Sequence, residues 1–351
     1  MRSRPHDAPG RVNRRIDRRV SADMDAEQRG GARRWWGVLL RLLVTGALLV
    51  VLALRFGGAA FTRGIGALTV PLVLAAVALT AVSTVCAAWR WWAVARQLEV
   101  PLPAAQALYA YYRSQFLNSV LPGGVVGDAH RAVAHGREVN DVGRAARAVA
   151  WERTAGQGVQ LALSIAVLLI MPSPGRSLLP MLAAVAACAL AAAWLIRRGR
   201  RHGTSWPARI AAVVRADLHV IAGRRVWPVW LVASCGVVAS HVALYVLVAR
   251  TVDPAASVRV LVPLAVIVQL GTGIPLSVGG WGLREGVAGW AFGAAGLGAA
   301  AGVSVSAAYG VASLIAVLPG AAVLAAEAAR RSPRGRADRS APLAHGAVSH
   351  G

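Results

Sequence analysis

The sequence predicts an all-α, polytopic integral membrane protein with about six full spans, two broken or re-entrant helical elements and a possible inverted repeat. Three observations carry this. Apolar runs of about 18–26 residues recur along the 351-residue chain, each long enough to cross a ~30 Å hydrocarbon core. Charged residues make up 15% of the chain against 56% hydrophobic, where a soluble domain carries about 25% charged, and mean hydropathy is +0.54. All 38 basic residues are arginines, for a formal net charge of +23, and they gather between the apolar runs. In a soluble chain that charge would suggest nucleic acid. At the ends of spans it fixes topology and meets anionic lipid, so anionic lipid and not nucleic acid is the partner expected at the basic loops.

Residues 1–34 are polar and Arg-rich, with no apolar core of a secretory leader. They read as a disordered cytoplasmic tail, 35–328 as the transmembrane domain, and 329–351 as a second basic tail. Full spans are expected at 37–54, 68–88, 154–171, 178–196, 229–249 and 302–327. Trp35, Trp36, Trp89, Trp91 and Trp92 cluster at the ends of the first two spans, where aromatic rings favour the head-group layer. Arg41 lies one turn inside the first span and can snorkel outward.

The segments 106–121, 258–275 and 285–298 are decided by charge. The stretch 197–225 holds eight arginines and the linker 172–177 only Arg176, which puts the first inside and the second outside. Span 154–171 then begins inside, so 106–121 enters from the cytoplasm and turns back. By the same parity 258–275 and 285–298 enter from outside and return there. Both termini fall in the cytoplasm. Arginine and alanine richness without lysine is what a GC-rich bacterial genome encodes, so the membrane expected is the bacterial plasma membrane.

At each break the composition changes. The first reads Leu121-Pro122-Gly123-Gly124-Val125-Val126-Gly127-Asp128-Ala129-His130-Arg131. The second reads Pro275-Leu276-Ser277-Val278-Gly279-Gly280-Trp281-Gly282-Leu283-Arg284-Glu285-Gly286. Proline ends a helix and glycine admits unusual backbone angles and close approach. Unwound backbone at membrane depth is tolerated only within protein or against a wet cavity. A helix restarting there offers unpaired N–H groups and its dipole to a phosphate or carboxylate, with Arg131 and Arg284 adding charge-assisted bonds. Asp128 and Glu285 either pair with those arginines or meet a cationic head group; the sequence admits both. One such break would pass for an ordinary turn, whereas two on opposite faces favour use as a site.

Glu152-Arg153 opens the span 154–171. Adjacent helix positions point about 100° apart, so the two need not pair with each other; if buried, they should face the cavity. Arg113 and Asn118 lie in the first dipping segment as candidate lining residues. His241, mid-span, reads as a buried hydrogen-bonded group. Cys86, Cys188 and Cys235 lie apart in apolar runs and read as packing residues. No Walker A motif, HExxH or Ser/His/Asp pattern appears, so no catalytic residue, metal or cofactor is expected.

The two break motifs and the Glu152-Arg153 pair resemble the lysylphosphatidylglycerol synthase transmembrane-region family, also called flippase-like membrane proteins. The second motif carries the likeness most specifically, as Pro-x-x-x-Gly-Gly-x-Gly-x-Arg-Glu-Gly. In the first, Val126 stands where the family commonly has glycine. The resemblance covers roughly residues 35–328. It implies a membrane unit that moves a phospholipid or lipid-linked head group between leaflets, through a polar cavity contacted by Arg113, Asn118, Gly123, Gly124, Gly127, Asp128, Arg131, Glu152, Arg153, Gly279, Gly280, Gly282, Arg284 and Glu285. In two-domain members a soluble domain makes the lipid. No such module is seen here, so a separate synthase or glycosyltransferase is an expected partner. A non-transporting scaffold for cell-envelope enzymes and a lipid-modifying transferase are the alternatives.

Overall fold

A computed structural model describes residues 58–122, 124–198, 206–221, 223, 227–273 and 279–331, together with Leu43, Ala47, Val50, Val51 and Leu54. The rest of the expected span 37–54, the tail 1–34, the tail beyond Arg331, Gly123 and 274–278 lie outside the described residues. Those described form helices and no strand.

The chain runs through α1 (Gly58–Gly66), α2 (Val70–Gln97), α3 (Ala104–Val120), α4 (Val126–Glu138), α5 (Val142–Ile170), a 3-10 turn (Pro174–Leu178) and α6 (Leu179–Arg198). It continues with α7 (Trp206–Ile221), α8 (Trp227–Val252), α9 (Val258–Thr272), α10 (Leu283–Ala294), α11 (Ala299–Ala316) and α12 (Pro319–Arg331). Among the described residues five stretches are long and apolar enough to cross a membrane: Val70–Gln97, Val142–Ile170, Pro174–Ile196, Trp227–Val252 and Ala299–Glu327. These are the five described spans that the sequence predicts, with shifted bounds.

The shifts have local causes. α2 starts after extended Thr69, with Pro71 in its first turn, where a missing N–H costs nothing. α5 starts twelve residues before 154, because the Asp141 side chain caps it by accepting from the Arg144 N–H at 2.8 Å. The expected span 302–327 is two helices, α11 and α12, broken before Pro319. The tail expected from 329 is helical to Arg331. The arginine-rich stretch 197–225, read as loop, contains α7, anchored where Asp217 accepts from Arg147 Nε at 3.0 Å and Trp151 Nε1 at 2.9 Å.

Both breaks are helical hairpins. α3 and α4 run antiparallel: Gln106 bonds Glu138 near the open end, and Asn118 bonds Gly127 and Asp128 near the tip. α9 and α10 do likewise, with Gly271 against Val287 and Gly280 against Thr272. One apolar cluster surrounds the second hairpin, with Leu72, Leu168, Leu244, Leu264, Phe292 and Val305. The other surrounds the first, with Trp91, Val94, Leu98, Ala107, Tyr111 and Val149. Along α2 the crossover between clusters falls at Thr80, Ser83 and Thr84, buried hydroxyl residues in an otherwise apolar span. α6 presents Leu190, Trp194 and Leu195 outward, as a lipid-facing helix does.

Candidate functional site

The two hairpin tips touch. Gly279 sits with φ +56°, and a Cβ there would overlap the carbonyl oxygen of Ser119. Only glycine adopts that angle at no steric cost while letting two backbones meet. Around the contact lies a cavity of about 360 Å³, within the ~300–1,000 Å³ of small-ligand sites. The first hairpin supplies Asn118, Ser119 and Gly124 to its wall; the second supplies Thr272, Gly273, Gly279, Gly280 and Arg284. Spans contribute Arg90 and Ser83 from α2, Arg153, Gln157 and Gln160 from α5, His241 from α8, and Tyr309 from α11. Among the described residues three arginines reach this wall and no carboxylate does.

The carboxylates lie behind it. Glu152 is fully buried and accepts from Arg90 Nε at 3.0 Å, Arg131 Nη2 at 3.0 Å and the Tyr111 hydroxyl at 3.1 Å. Asp128 accepts from Ser114 and Asn118, both at 3.1 Å, from Arg131 at 3.0 Å, and from Arg153. Three arginines thus share two carboxylates, so the cluster carries one net positive charge. Arg153 is the member left most open, its side chain 40% exposed and its Nε without a partner among the described residues. Glu152 and Arg153 have separate partners, Arg90 and Arg131 for the first and Asp128 for the second, which their angular offset on the helix allows.

Arg131, expected at the ligand, is instead packed behind the wall with no exposed surface. Its guanidinium lies 4.3 Å from the Trp91 ring centroid and 4.4 Å from that of Tyr111. Two aromatic faces and two carboxylates consume its charge. Arg113 also leaves the site: it bonds Glu327 of α12. Gly127 is a close-packing residue, where a Cβ would overlap the Ser114 carbonyl. Gly282, at φ +84°, is the N-cap of α10.

The helix starts are not free for an anion. Glu285 Oε2 accepts from the N–H of Gly282 at 2.6 Å and so closes the first turn of α10. Asn118 Oδ1 takes the Gly127 N–H at 2.7 Å, and Asp128 lies in the first turn of α4. Each dipole therefore meets the chain's own carboxylate, and anion affinity passes to the arginines. Arg284 donates to Glu285 Oε1 at 2.8 Å and Ser306 Oγ at 3.1 Å, and lies 4.9 Å from the Trp281 ring centroid.

Two features escape the sequence reading. Arg90 sits in a run of tryptophans at the end of a span and is not singled out by the sequence as a site residue, yet it is buried and donates to Ser234 at 2.9 Å. Its acidic partner is 62 residues away, so only the cost of a buried arginine hints at it. A hydrogen-bond chain also runs along the wall: Ser83 Oγ to His241 Nε2 at 3.2 Å, His241 Nδ1 to Tyr309 at 3.0 Å, and Gln269 to Tyr309 at 2.9 Å. His241 is hydrogen-bonded at both ring nitrogens, as a buried histidine requires. Among the described residues no group of three His, Cys, Asp or Glu side chains is placed to hold a metal.

Residues 38–320 match the model of a family described as the lysylphosphatidylglycerol synthase TM region. No curated protein and no solved structure matches the chain.

Proposed function

The chain belongs to the lysylphosphatidylglycerol synthase TM-region family, and from that premise we propose that it is a lipid translocase acting on a lipid with an anionic, phosphate-bearing head group. The observation that carries this reading is a cavity inside a membrane domain lined by Arg90, Arg153 and Arg284 and, among the described residues, by no carboxylate, with Arg153 the arginine left most open to it. A phosphate entering it exchanges water for charge-assisted bonds from arginine forks. Glutamine and hydroxyl side chains on the same wall accept or donate to glycerol and head-group oxygens. The acyl chains stay in the bilayer. The buried carboxylates act on the arginines, holding their orientation, and do not contact an amine head group. The hairpin tips meet at Ser119 and Gly279 in the cavity wall, and in this reading rocking of one hairpin against the other exposes the cavity to each leaflet in turn.

The test is reconstitution in liposomes with fluorescent phospholipids of several head groups. Wild type is expected to accelerate transbilayer movement of at least one anionic lipid. Arg153→Ala and Arg284→Ala, checked for folding by thermal melting, are expected to slow it roughly tenfold or more, the worth of one charged hydrogen bond. No acceleration for any head group, or equal rates in wild type and both variants, overturns the proposal.

A further inference from the structure

A second cavity, about 420 Å³, lies in the seam between α2 and α3, walled by Val85, Trp89, Trp92, Ala105 and Leu108. Its surface is almost wholly apolar, and Val85 and Trp89 are 52% and 43% exposed, so it faces the surroundings of the bundle. It is distinct from the polar cavity but shares its partition: Ala87 and Tyr111 face the arginines, while neighbouring Ala88 and Leu108 wall the slot.

The slot has a length and a charged end. Its wall on α2, from Val85 to Trp92, rises about 10 Å at ~1.5 Å per residue, and Arg96 lies about one turn beyond, so wall and arginine together span about 16 Å, half of a ~30 Å hydrocarbon core. At its outer end the Arg96 guanidinium lies 4.7 Å from the Trp92 ring centroid, and among the described residues no carboxylate pairs with it. Half-buried Trp92 beside it and exposed Trp89 on the same helix mark head-group depth. An apolar trough with an arginine one turn past its end, without a carboxylate partner among the described residues, matches one ligand chemistry: a phospholipid with its phosphate at Arg96 and one acyl chain lying along α2.

We propose that the α2–α3 seam is a binding site for an anionic phospholipid of the leaflet at the Arg96 end. The site rests on the membrane-spanning reading of α2 and not on transport: a chain that moves no lipid would still be occupied there. Its position beside the arginine cavity makes it a holding site next to the path of the head group.

The experiment uses the full chain in vesicles containing a phospholipid with a photoactivatable diazirine on its acyl chain, in an anionic and a zwitterionic version, with labelled peptides mapped by mass spectrometry. Labelling is expected to concentrate on peptides holding 85–92 and 104–108, above the lipid-facing helix α6. Ala105→Trp, an exposed position, fills the slot and is expected to remove that concentration. Arg96→Gln is expected to cut labelling by the anionic probe about fivefold, with the zwitterionic probe unchanged, the worth of one surface arginine on anionic lipid. The wild-type map needs no variant, so a misfolded variant leaves the test intact. Labelling spread evenly over α6, α2 and α3 overturns the site, as does an Arg96→Gln effect equal for both probes.

Discussion

Glu152 shows what a single side chain does here. It receives Arg90, Arg131 and Tyr111 at full burial, so its removal leaves buried Arg90 without a carboxylate and Arg131 with Asp128 alone. Loss of one partner from a buried ion pair costs about 3–5 kcal/mol. Glu152→Ala is therefore expected to lower the melting temperature in detergent far more than Glu138→Ala, whose carboxylate is more than half exposed. Equal shifts would mean that the buried cluster does not hold the first hairpin. The sequence flags Glu152 and Arg153 as a charged pair opening a span, and their offset on the helix means that they need not pair with each other. It does not name their partners, because Arg90, Arg131 and Asp128 come from two other helices. Arg131 is the sharper lesson: its place in a glycine-rich motif suggests a ligand contact, but the Trp91 and Tyr111 faces that enclose it are set by tertiary packing.

At the scale of elements, each hairpin depends on glycines for separate reasons. Gly127 brings α4 onto the Ser114 backbone, and Gly279 brings one tip onto the other. Gly286, in the first turns of α10, has open space around its Cβ position. Gly127→Ala is expected to destabilise by ~1–3 kcal/mol through overpacking. Gly279→Ala adds a left-handed backbone cost of ~1–2 kcal/mol to its clash. Gly286→Ala is expected to be neutral or stabilising by up to ~1 kcal/mol, since alanine favours helix. Thermal melting of the three variants ranks them, and a Gly286→Ala as damaging as Gly279→Ala would contradict the assignment. The hairpins were legible in sequence because proline and paired glycines stop a helix locally and because parity of positive charge leaves no other path. Helices α1 and α7 were not: one is nine residues between spans, the other lies in a stretch whose arginines dominate its composition. α1 forms because Gly64 packs on Ser304 of α11, a contact with no local signature.

For the whole molecule, the last described helix is fastened to the first hairpin. Arg113 of α3 pairs with Glu327 of α12, and Gly320 packs on the backbone of Tyr112. A contact between residues 214 apart ties the last helix to a hairpin whose tip walls the cavity. A double-mutant cycle on Arg113→Ala and Glu327→Ala is expected to give a coupling of about 0.5–3 kcal/mol; strict additivity would show that the two do not meet.

The central claim is that both helix breaks wall one water-filled cavity within the membrane domain. It is tested most directly by cysteine accessibility in a Cys86→Ser, Cys188→Ser, Cys235→Ser background. Asn118→Cys and Thr272→Cys, one from each hairpin, are expected to react with a membrane-impermeant thiol reagent. Both should be protected by an anionic phospholipid, while Val266→Cys in the apolar core stays unreactive. Protection of neither position, or reaction at only one hairpin, would contradict a shared site.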